Sequence, residues 1–506
     1  MQEKKSLGGF LDFVERVGNK IPHTFILFVF LTIIVVLLSA GLAAMGVKVV
    51  NPATQKVFAV KSLMSTEGLL FFLKNMTKNF IGFSPLGLVL VMALGIGIAE
   101  HTGMLFAMMR HAILSIKASP FVLTYIIFVV GICSNIASDA AYAIMPPLCG
   151  MIFLVLGRHP LAGVAMGFAA AAAGFTANIM VAGTDALVAG ISTEAVKAVM
   201  PGYVVPVTAN YFFMLASTFI MGLVGAFVSL KIVEPRLGKY TGTVHFDGEQ
   251  TDPREKEALK FSAKCTAAYL LILAAVIAPA DSFMRNPKTG SLLRSPFMDS
   301  LVPLIFFLFL IAGVSYGVKI GKIKVLGDIP KLMTTSIRDL SGFIVLVFMM
   351  GQFVACFNWT NISIVLAVNG AEVIKNMNLS GYPLFIMFIL LTAFVNFFMT
   401  SGAAKWTIFA PIFIPMFYML GYTPEFTQLL YRIGDSPFNP STPLSAFMPL
   451  IIGFMQRYDE KAGMGTVISC TMPFSIWMLI VWIAMIVVWT ALALPIGPGV
   501  DIYLPR

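Results

Sequence analysis

Apolar runs long enough to cross a lipid bilayer recur along the whole sequence, for example at residues 24–46, 207–230 and 468–494. A helix needs about 20 apolar residues to span a hydrocarbon core of about 30 Å. Of the 506 residues, 58% are hydrophobic and only 11% are charged, which is too little charge to cover a soluble globule. The sequence therefore predicts an all-α, polytopic protein embedded in the lipid bilayer.

The basic residues lie mainly in short segments between the apolar runs. The formal net charge is +10, but loop topology explains this distribution better than nucleic-acid binding does. The excess of Lys and Arg in alternate loops predicts a bacterial inner-membrane protein with its N-terminus inside and its C-terminus outside. The five cysteines lack the spacing of a zinc or redox pair. We find no nucleotide, phosphate or HExxH motif, so we expect neither an enzyme nor a cofactor beyond a coupling ion.

Nine of the runs are predicted as membrane spans, and an odd number places the two termini on opposite sides. The spans are expected at residues 24–46, 84–101, 161–183, 207–230, 261–280, 301–317, 340–357, 426–455 and 468–494.

Two further apolar segments are interrupted by polar tips and are predicted as re-entrant hairpins. The first covers residues 120–157 with the tip SNIAS, and the second covers 383–420 with a tip at Thr400, Ser401 and Gly402. Irregular backbone at membrane depth is tolerated only where it is buried in protein or lines an aqueous cavity. Both tips are therefore expected to face a transport pathway.

An internal repeat relates the two hairpins. A shift of 264 residues superposes Pro147 on Pro411 and Pro160 on Pro424, together with several apolar positions between them. A single helix separates the copies, so the second is predicted to be inverted, as in many secondary transporters. The predicted divisions are a first repeat at 1–235, a cytoplasmic loop and linking helix at 236–280, and a second repeat at 281–506.

Two of the predicted spans carry helix-breaking residues near mid-depth. The run 161–183 contains Gly174 and Asn178, and the run 426–455 contains the segment DSPFNPSTP. Proline removes backbone donors and glycine loosens a helix, which frees carbonyl groups to bind a cation or a solute. We expect both spans to unwind there.

Charged side chains within these segments need either an ion-pair partner or a functional role, because a charge at the bilayer centre costs about 2.5–3.5 kcal/mol on insertion scales. Arg432 and Asp435 have the spacing of an ion pair on one helical face, whether functional or purely structural. Lys405 and Trp406 follow the second tip, where a helix N-terminus favours a bound anion, although Trp406 also suits an interfacial aromatic belt.

Ion coupling is assigned to oxygen-bearing side chains at the tips and in the broken spans. Neutral oxygens from the two tips suit a hard cation such as Na⁺, while helix capping explains the hydroxyl groups almost as well. Asp139 could be a helix cap and Asp185 an interfacial loop residue. The candidates are Asn135, Ser138, Asp139, Asp185, Asn396, Thr400 and Asp435, with a possible Na⁺ site at Asn135, Asn396 and Asp435.

Nine segments carry a family resemblance that runs over nearly the whole chain: VERVGNKIPH, SNIASDAAYAIMPP, GRHPLAGV, GFTAN followed by GTD, EPRLG, FNWTN, AKWTIFAPIFIPMF, YRIGDS and LPIGPG. With these segments the sequence closely resembles the AbgT family, whose members import p-aminobenzoyl-glutamate or export sulfonamide-like antimetabolites. The resemblance implies a homodimer with nine spans and two hairpins per protomer. It also implies functional roles for Asp185, Trp406, Pro424, Arg432, Asp435 and Pro443. Many relatives carry Ser at the position of Ala403, so identical solute affinity is not expected.

Three functions are compatible with these residues. The first is ion-driven transport of p-aminobenzoyl-glutamate, with Lys405 and Arg432 for its carboxylates and with Trp406 and Tyr142 for its ring. The second is export of sulfonamides by proton antiport, with Asp185 or Asp435 as the proton carrier. The third is an intramembrane aspartyl protease, which RIGDS disfavours because it lacks the GxGD pattern. The complete predicted solute-binding set is Lys405, Trp406, Arg432, Tyr142, Ser401 and Pro443.

Overall fold

A computed structural model describes residues 24–50, 56–114, 119–137, 140–242, 253–292, 295–377 and 379–505. Ser138 and Asp139, two of the predicted ion-coupling residues, lie outside these ranges. The described chain is mostly helical, with one two-stranded antiparallel sheet, which confirms the predicted all-α class at the level of secondary structure.

The first part of the chain consists of helices around a small β-hairpin. The elements are α1 (Thr24–Ala44), β1 (Lys48–Val50), β2 (Val57–Ala59), α2 (Thr66–Ile81), α3 (Ser84–His101) and α4 (Met104–Leu114). In the hairpin, Val49 lies opposite Phe58. Ser65 caps α2 by accepting a hydrogen bond from the Gly68 N–H at 3.1 Å, which satisfies one of the donors that a helix start leaves free.

The first predicted hairpin consists of two helices joined by a 3₁₀ turn. The helices are α5 (Pro120–Cys133) and α6 (Ala140–Val155), and the turn covers Ser134–Ala137. The following elements are α7 (Pro160–Ala173), α8 (Gly183–Val196), α9 (Tyr211–Val228), a π-helical turn (Ser229–Val233) and α10 (Glu234–Leu237).

The second part begins with the long helix α11 (Pro253–Ile277). It continues with α12 (Pro296–Asp299), α13 (Leu301–Ile320), α14 (Asp328–Asp339), α15 (Ser341–Trp359) and α16 (Ile362–Asn376). The second predicted hairpin consists of α17 (Tyr382–Asn396) and α18 (Gly402–Met419), and the last helices are α19 (Pro424–Asp435), α20 (Met448–Gln456) and α21 (Met464–Ala491).

The same order of elements occurs twice. Helices α5 to α9 comprise a helix pair, a helix that ends before an irregular segment, and two more helices, and α17 to α21 repeat that order. Helices α10 to α16 lie between the two sets and are not part of this five-helix order. The repeat boundaries, their inverted orientation and the re-entrance of the hairpins remain predictions.

Both predicted breaks are present in the described residues. Helix α7 ends at Ala173 before α8 begins at Gly183, and α19 ends at Asp435 before α20 begins at Met448. Eight described helices are long and apolar enough to span a membrane. The runs at 161–183 and 426–455 are not among them, because each is broken, whereas Pro120–Ala137 is long enough by itself. The count of nine spans therefore stays a prediction.

Close packing of α6 on α7 fixes the first hairpin within the core. All residues of α7 are buried, and most of them are small. A Cβ atom at Gly163 would lie 2.4 Å from the Cys149 carbonyl oxygen, and one at Gly167 would lie 2.6 Å from that of Met145. Small residues spaced by four allow helix backbones to approach closely within a membrane. The hairpin tip is thereby held against the unwound segment that follows α7.

Candidate functional site

A cavity of about 380 Å³ lies where the two predicted hairpin tips meet. Asn135 lines it from the first tip, and Thr400, Ser401 and Gly402 line it from the second. The other lining residues come from α6, α8, α18 and the irregular segments: Tyr142, Phe175, Thr184, Leu187, Ala403, Asp435, Asn439, Ser445, Ala446 and Phe447. Residues from both halves of the chain therefore form one site, as the repeat predicts.

A buried ion pair lies beside this cavity. The Lys405 Nζ is 2.5 Å from the Asp435 Oδ1, and the two side chains are 0% and 1% exposed. Lys405 also donates to the Asn396 Oδ1, and the Asn396 Nδ2 donates to the Asp435 carbonyl oxygen at 3.0 Å. A lysine at this depth needs such partners, because burial of an unpaired ammonium is costly.

A second buried ion pair corrects the predicted pairing of Arg432 with Asp435. The Arg432 Nη2 lies 2.6 Å from the Asp185 Oδ1, and the Arg432 Nε donates to the Phe175 carbonyl oxygen at 2.8 Å. Arg432 thus links α19 to the first irregular segment, and Asp435 pairs with Lys405 instead. Helical spacing identified both residues as ion-pair members but not their partners, which come from distant parts of the chain.

Asp185 lies in the first turn of α8 and is 2% exposed. Its Oδ2 accepts a hydrogen bond from the Ala182 N–H at 2.7 Å, which caps the start of the helix. The alternative that Asp185 is an interfacial loop residue is therefore wrong.

Trp406 is fully buried and stacks on Tyr431, with ring centroids 4.5 Å apart. Its indole N–H donates to the Ser192 Oγ at 2.9 Å. The alternative of an interfacial belt position is therefore wrong, yet Trp406 is not among the residues that line the cavity. Tyr142 does line it, and its ring stacks on Phe447 at 4.5 Å.

The other predicted residues lie at or near the cavity wall. Ser401 caps α18 by accepting from the Ala404 N–H at 3.3 Å, and Thr400 precedes it. The Asn135 Oδ1 accepts from the Thr184 hydroxyl at 3.3 Å. Pro443 is partly buried in the irregular segment between α19 and α20. The structure thus collects these residues around the junction of the two tips.

The donor atoms of the predicted Na⁺ site are partly engaged by Lys405. Asn135 and Asp435 both line the cavity, but the Asn396 Oδ1 and the Asp435 Oδ1 already contact the Lys405 ammonium. A cation bound by all three predicted ligands would therefore compete with Lys405 for two oxygens. Among the described residues, no group of three or more His, Cys, Asp or Glu side chains could hold a metal ion.

Comparison with known proteins decides the family. Residues 9–504 match the sequence model described as the AbgT putative transporter family. The chain belongs to the AbgT family. It is 40% identical to the p-aminobenzoyl-glutamate transport protein of Escherichia coli over 97% of both chains.

Two solved structures of transporters are similar to this AbgT-family chain over their full length. The YdaH transporter of Alcanivorax borkumensis is 36% identical, with a TM-score of 0.89 and coverage of 94% of this chain and 100% of that one. MtrF of Neisseria gonorrhoeae, described among a class of antimetabolite efflux pumps, is 40% identical, with a TM-score of 0.89 and coverage of 97% and 100%. The resemblance inferred from the sequence segments is confirmed.

A buried polar chain behind Trp406 in this AbgT-family protein was missed by sequence reasoning. The Ser192 hydroxyl donates to the Gln428 Oε1 at 2.7 Å, and the Gln428 Nε2 donates to the Asn210 Oδ1 at 2.9 Å. The Asn210 side chain in turn donates to the Glu425 carbonyl oxygen at 2.9 Å. A signal was present, because Glu425, Gln428, Arg432 and Asp435 recur at helical spacing along α19.

Proposed function

We propose that this AbgT-family chain is an ion-gradient-driven secondary transporter of p-aminobenzoyl-glutamate across the bacterial inner membrane. The observation that carries the proposal is the cavity between the two tips, which combines aromatic rings, hydroxyl groups and a buried ion pair. The name of the E. coli relative, at 40% identity, supports the choice of solute.

The cavity chemistry suits an aromatic dianion. Tyr142, Phe175 and Phe447 offer ring faces for the benzoyl group, and pockets of about 300–1,000 Å³ are typical of small-molecule sites. Helix α18 begins at Gly402 in the cavity wall, and helix N-termini favour bound anions. A carboxylate of the solute would compete with Asp435 for Lys405, which assigns Lys405 an anion-binding role during the transport cycle.

The same pairs offer a route to ion coupling. Binding of H⁺ or Na⁺ at Asp435 or Asp185 would weaken the ion pair that this carboxylate makes. The ion and the solute would then act on the same charged pairs, which would link their binding free energies. The proposed coupling set is completed by Asn135, Asn396 and Thr400, and by Ser138 and Asp139, which lie outside the described residues. We further propose a homodimer of nine-span protomers with the N-terminus inside and the C-terminus outside.

Transport by the purified protein in proteoliposomes tests the proposal. We expect labelled p-aminobenzoyl-glutamate to accumulate above its external concentration under an imposed H⁺ or Na⁺ gradient, and to stop doing so when an ionophore collapses that gradient. Protein-free liposomes and the Asp435→Asn variant serve as controls. Equilibration without accumulation under both gradients would indicate a passive channel and would refute ion-driven transport.

The second candidate function is proton-coupled export of sulfonamide antimetabolites. It is favoured by the similarity to MtrF, and the ring faces in the cavity suit a neutral aromatic sulfonamide as well. The same vesicles discriminate between the two functions. Export predicts that an inward H⁺ gradient drives sulfonamide out of the vesicles while p-aminobenzoyl-glutamate is neither transported nor competitive.

A peptidase is the weakest of the three hypotheses. An aspartyl protease needs two carboxylates that face one water molecule, whereas Asp185 and Asp435 each pair with a different cation. Membership of a transporter family also supports a protein that is not an enzyme.

A further inference from the structure

The long helix α11 forms one wall of a second and larger cavity. This cavity is about 890 Å³ in volume, and α4 and α13 form its other walls. The Ser262 hydroxyl donates to the Ala312 carbonyl oxygen at 2.8 Å and fixes α11 against α13. The cavity therefore lies between helices whose spacing is set by a buried contact.

The α11 wall is a single stripe along the helix. The lining residues Lys256, Lys260, Ala263, Ala267 and Leu270 recur at intervals of three or four, so they share one face. At a rise of 1.5 Å per residue this stripe is about 21 Å long. The cavity thus runs along more than half of α11, from Lys256 near its start to Leu270.

Positive charge is concentrated at one end of the stripe. Lys256 and Lys260 line the cavity there, together with His111 of α4, and no described lining residue is acidic. The neighbouring Glu255 is paired with Arg110. Within the described part of the chain neither lysine makes an ion pair, so this end offers charge to an anion.

The large cavity also reaches the first hairpin tip. Ile136 of the tip and Met180 of the first irregular segment line the large cavity, whereas the adjacent Asn135 lines the small one. Adjacent residues of the tip therefore line the two cavities. Met104 and Met108 also line the large cavity, and methionine surfaces adapt to varied apolar ligands.

We propose that the large cavity is a vestibule that binds the anionic aromatic solute on its way to or from the site between the tips. Lys256 and Lys260 bind its carboxylates, and the methionine-lined wall contacts its ring. The first hairpin tip is the barrier between the vestibule and the central site. This inference rests on the proposed function, because it assumes p-aminobenzoyl-glutamate or a related dianion as the solute.

Charge selectivity provides the first test. In the Lys256→Gln/Lys260→Gln variant, the apparent KM for p-aminobenzoyl-glutamate should rise about tenfold at low salt and less at high salt, because long-range charge attraction is screened. Uptake of a neutral sulfonamide should change less than twofold. Lys264→Gln is the matched control, since Lys264 lies on α11 but does not line the cavity.

Chemical labelling provides the second test and separates this site from the central one. Ala267→Cys and the control Ala268→Cys are placed in a background with Cys133 and Cys265, the cysteines that are not buried, changed to Ser. Ala267 lines the cavity and Ala268 does not. A water-soluble maleimide should react at position 267, and p-aminobenzoyl-glutamate should slow that reaction at least threefold. The same protection should be seen when Tyr142→Ala, a change in the central cavity, is added to the labelled variant.

The outcomes are distinct. If the unmodified protein neither binds nor transports the dianion, the proposed function fails. If it does so but labelling at 267 is unprotected, or the lysine variant loses both solutes equally, only the vestibule is refuted. Both proteins are also assayed in liposomes that lack acidic lipids. If removal of acidic lipids lowers the activity of the parent protein but not that of the lysine variant, the lysines bind a lipid headgroup. That result would also overturn the proposal.

Discussion

At the scale of single residues, the site depends on two charge pairs that lie out of contact with bulk solvent. Each pair joins residues on different helices: Lys405 of α18 with Asp435 of α19, and Arg432 of α19 with Asp185 of α8. Removal of one partner from a buried pair is costly because it leaves the other charge uncompensated, whereas removal of both can be nearly neutral. Stability and function are therefore expected to respond differently to single and double substitutions.

We predict that Lys405→Met lowers the free energy of unfolding by about 3–5 kcal/mol, and that adding Asp435→Asn recovers most of this loss. Neither variant should transport the solute, because both lack the Lys405 ammonium that binds the anion, and the double variant also lacks the coupling carboxylate. Thermal unfolding in detergent and proteoliposome uptake measure the two effects. Recovery of transport in the double variant would contradict the proposed roles.

The second residue-scale prediction separates the ring that lines the cavity from the ring that is buried behind it. Tyr142→Ala should raise the apparent KM for an aromatic solute about tenfold, since ring stacking and apolar burial contribute about 1–3 kcal/mol. Trp406→Phe should change KM less than threefold, because the Trp406 ring stacks on Tyr431 rather than lining the cavity. Its main effect should be a loss of stability of about 1 kcal/mol, from the hydrogen bond to Ser192. The opposite order of KM effects would show that Trp406 contacts the solute.

At the scale of elements, irregular segments hold the tips in place. A Cβ atom at Gly174 would lie 2.3 Å from the Asn135 Cβ and 2.7 Å from the Ile132 carbonyl oxygen. The end of α7 can therefore approach the first hairpin tip only with glycine at this position. The site geometry depends on this contact, because Asn135 lines the cavity.

We predict that Gly174→Ala reduces transport at least tenfold by displacing the first tip, with a loss of stability of about 1–3 kcal/mol from overpacking. Gly453→Ala in α20 is the control, since its added Cβ would meet nothing within 4 Å. Uptake rates and unfolding temperatures of both variants test this. Normal uptake by Gly174→Ala would mean that the tip position is not critical.

The C-terminal segment clamps the turn that follows the second hairpin. The Thr423 N–H donates to the Ile502 carbonyl oxygen at 3.0 Å, and the Leu504 N–H donates to that of Gly421 at 3.0 Å. The Phe212 N–H donates to the Ile496 carbonyl oxygen at 3.1 Å, so the same segment reaches the start of α9. The last of these bonds joins elements from the two halves of the chain.

Truncation after Pro495 should therefore lower the unfolding temperature and reduce transport, because several buried backbone groups lose their partners. Removal of Pro505 and Arg506 alone should have little effect, as it spares all of these bonds. Differential scanning fluorimetry and uptake compare the two truncations. Equal stability of both would show that the clamp is dispensable.

At the scale of the whole molecule, the central site exists only because the two halves meet. Asn135 belongs to the first hairpin and Ser401 to the second, and both line the same cavity. If transport requires the tips to move relative to each other, then joining them should stop the cycle. This requirement is the core of an alternating-access mechanism for inverted repeats.

We predict that Asn135→Cys/Ser401→Cys, treated with a short bifunctional thiol cross-linker, loses transport, and that each single variant treated in the same way retains it. A cleavable linker should restore uptake after reduction. Formation of the cross-link without loss of transport would argue against relative movement of the tips. Failure to cross-link would show that they do not meet in the membrane.

The sequence by itself determined the helical membrane class, the two helix pairs, both helix breaks and the family. Each of these follows from local order: run length, the placement of Pro and Gly, and the 264-residue repeat. It also identified Arg432, Asp435, Lys405 and Asp185 as charges that need partners, because burial in a membrane is costly for any of them.

Only the tertiary structure decided which charges pair, which rings line the cavity and where the second cavity lies. Helical spacing favoured Arg432 with Asp435, but the pair that forms, Arg432 with Asp185, joins α19 to α8 across 247 positions of sequence. Trp406 follows a tip and still points into the core, where Ser192 accepts its N–H. Such contacts depend on how helices from the two halves pack, and no local pattern encodes a partner that is chosen by packing.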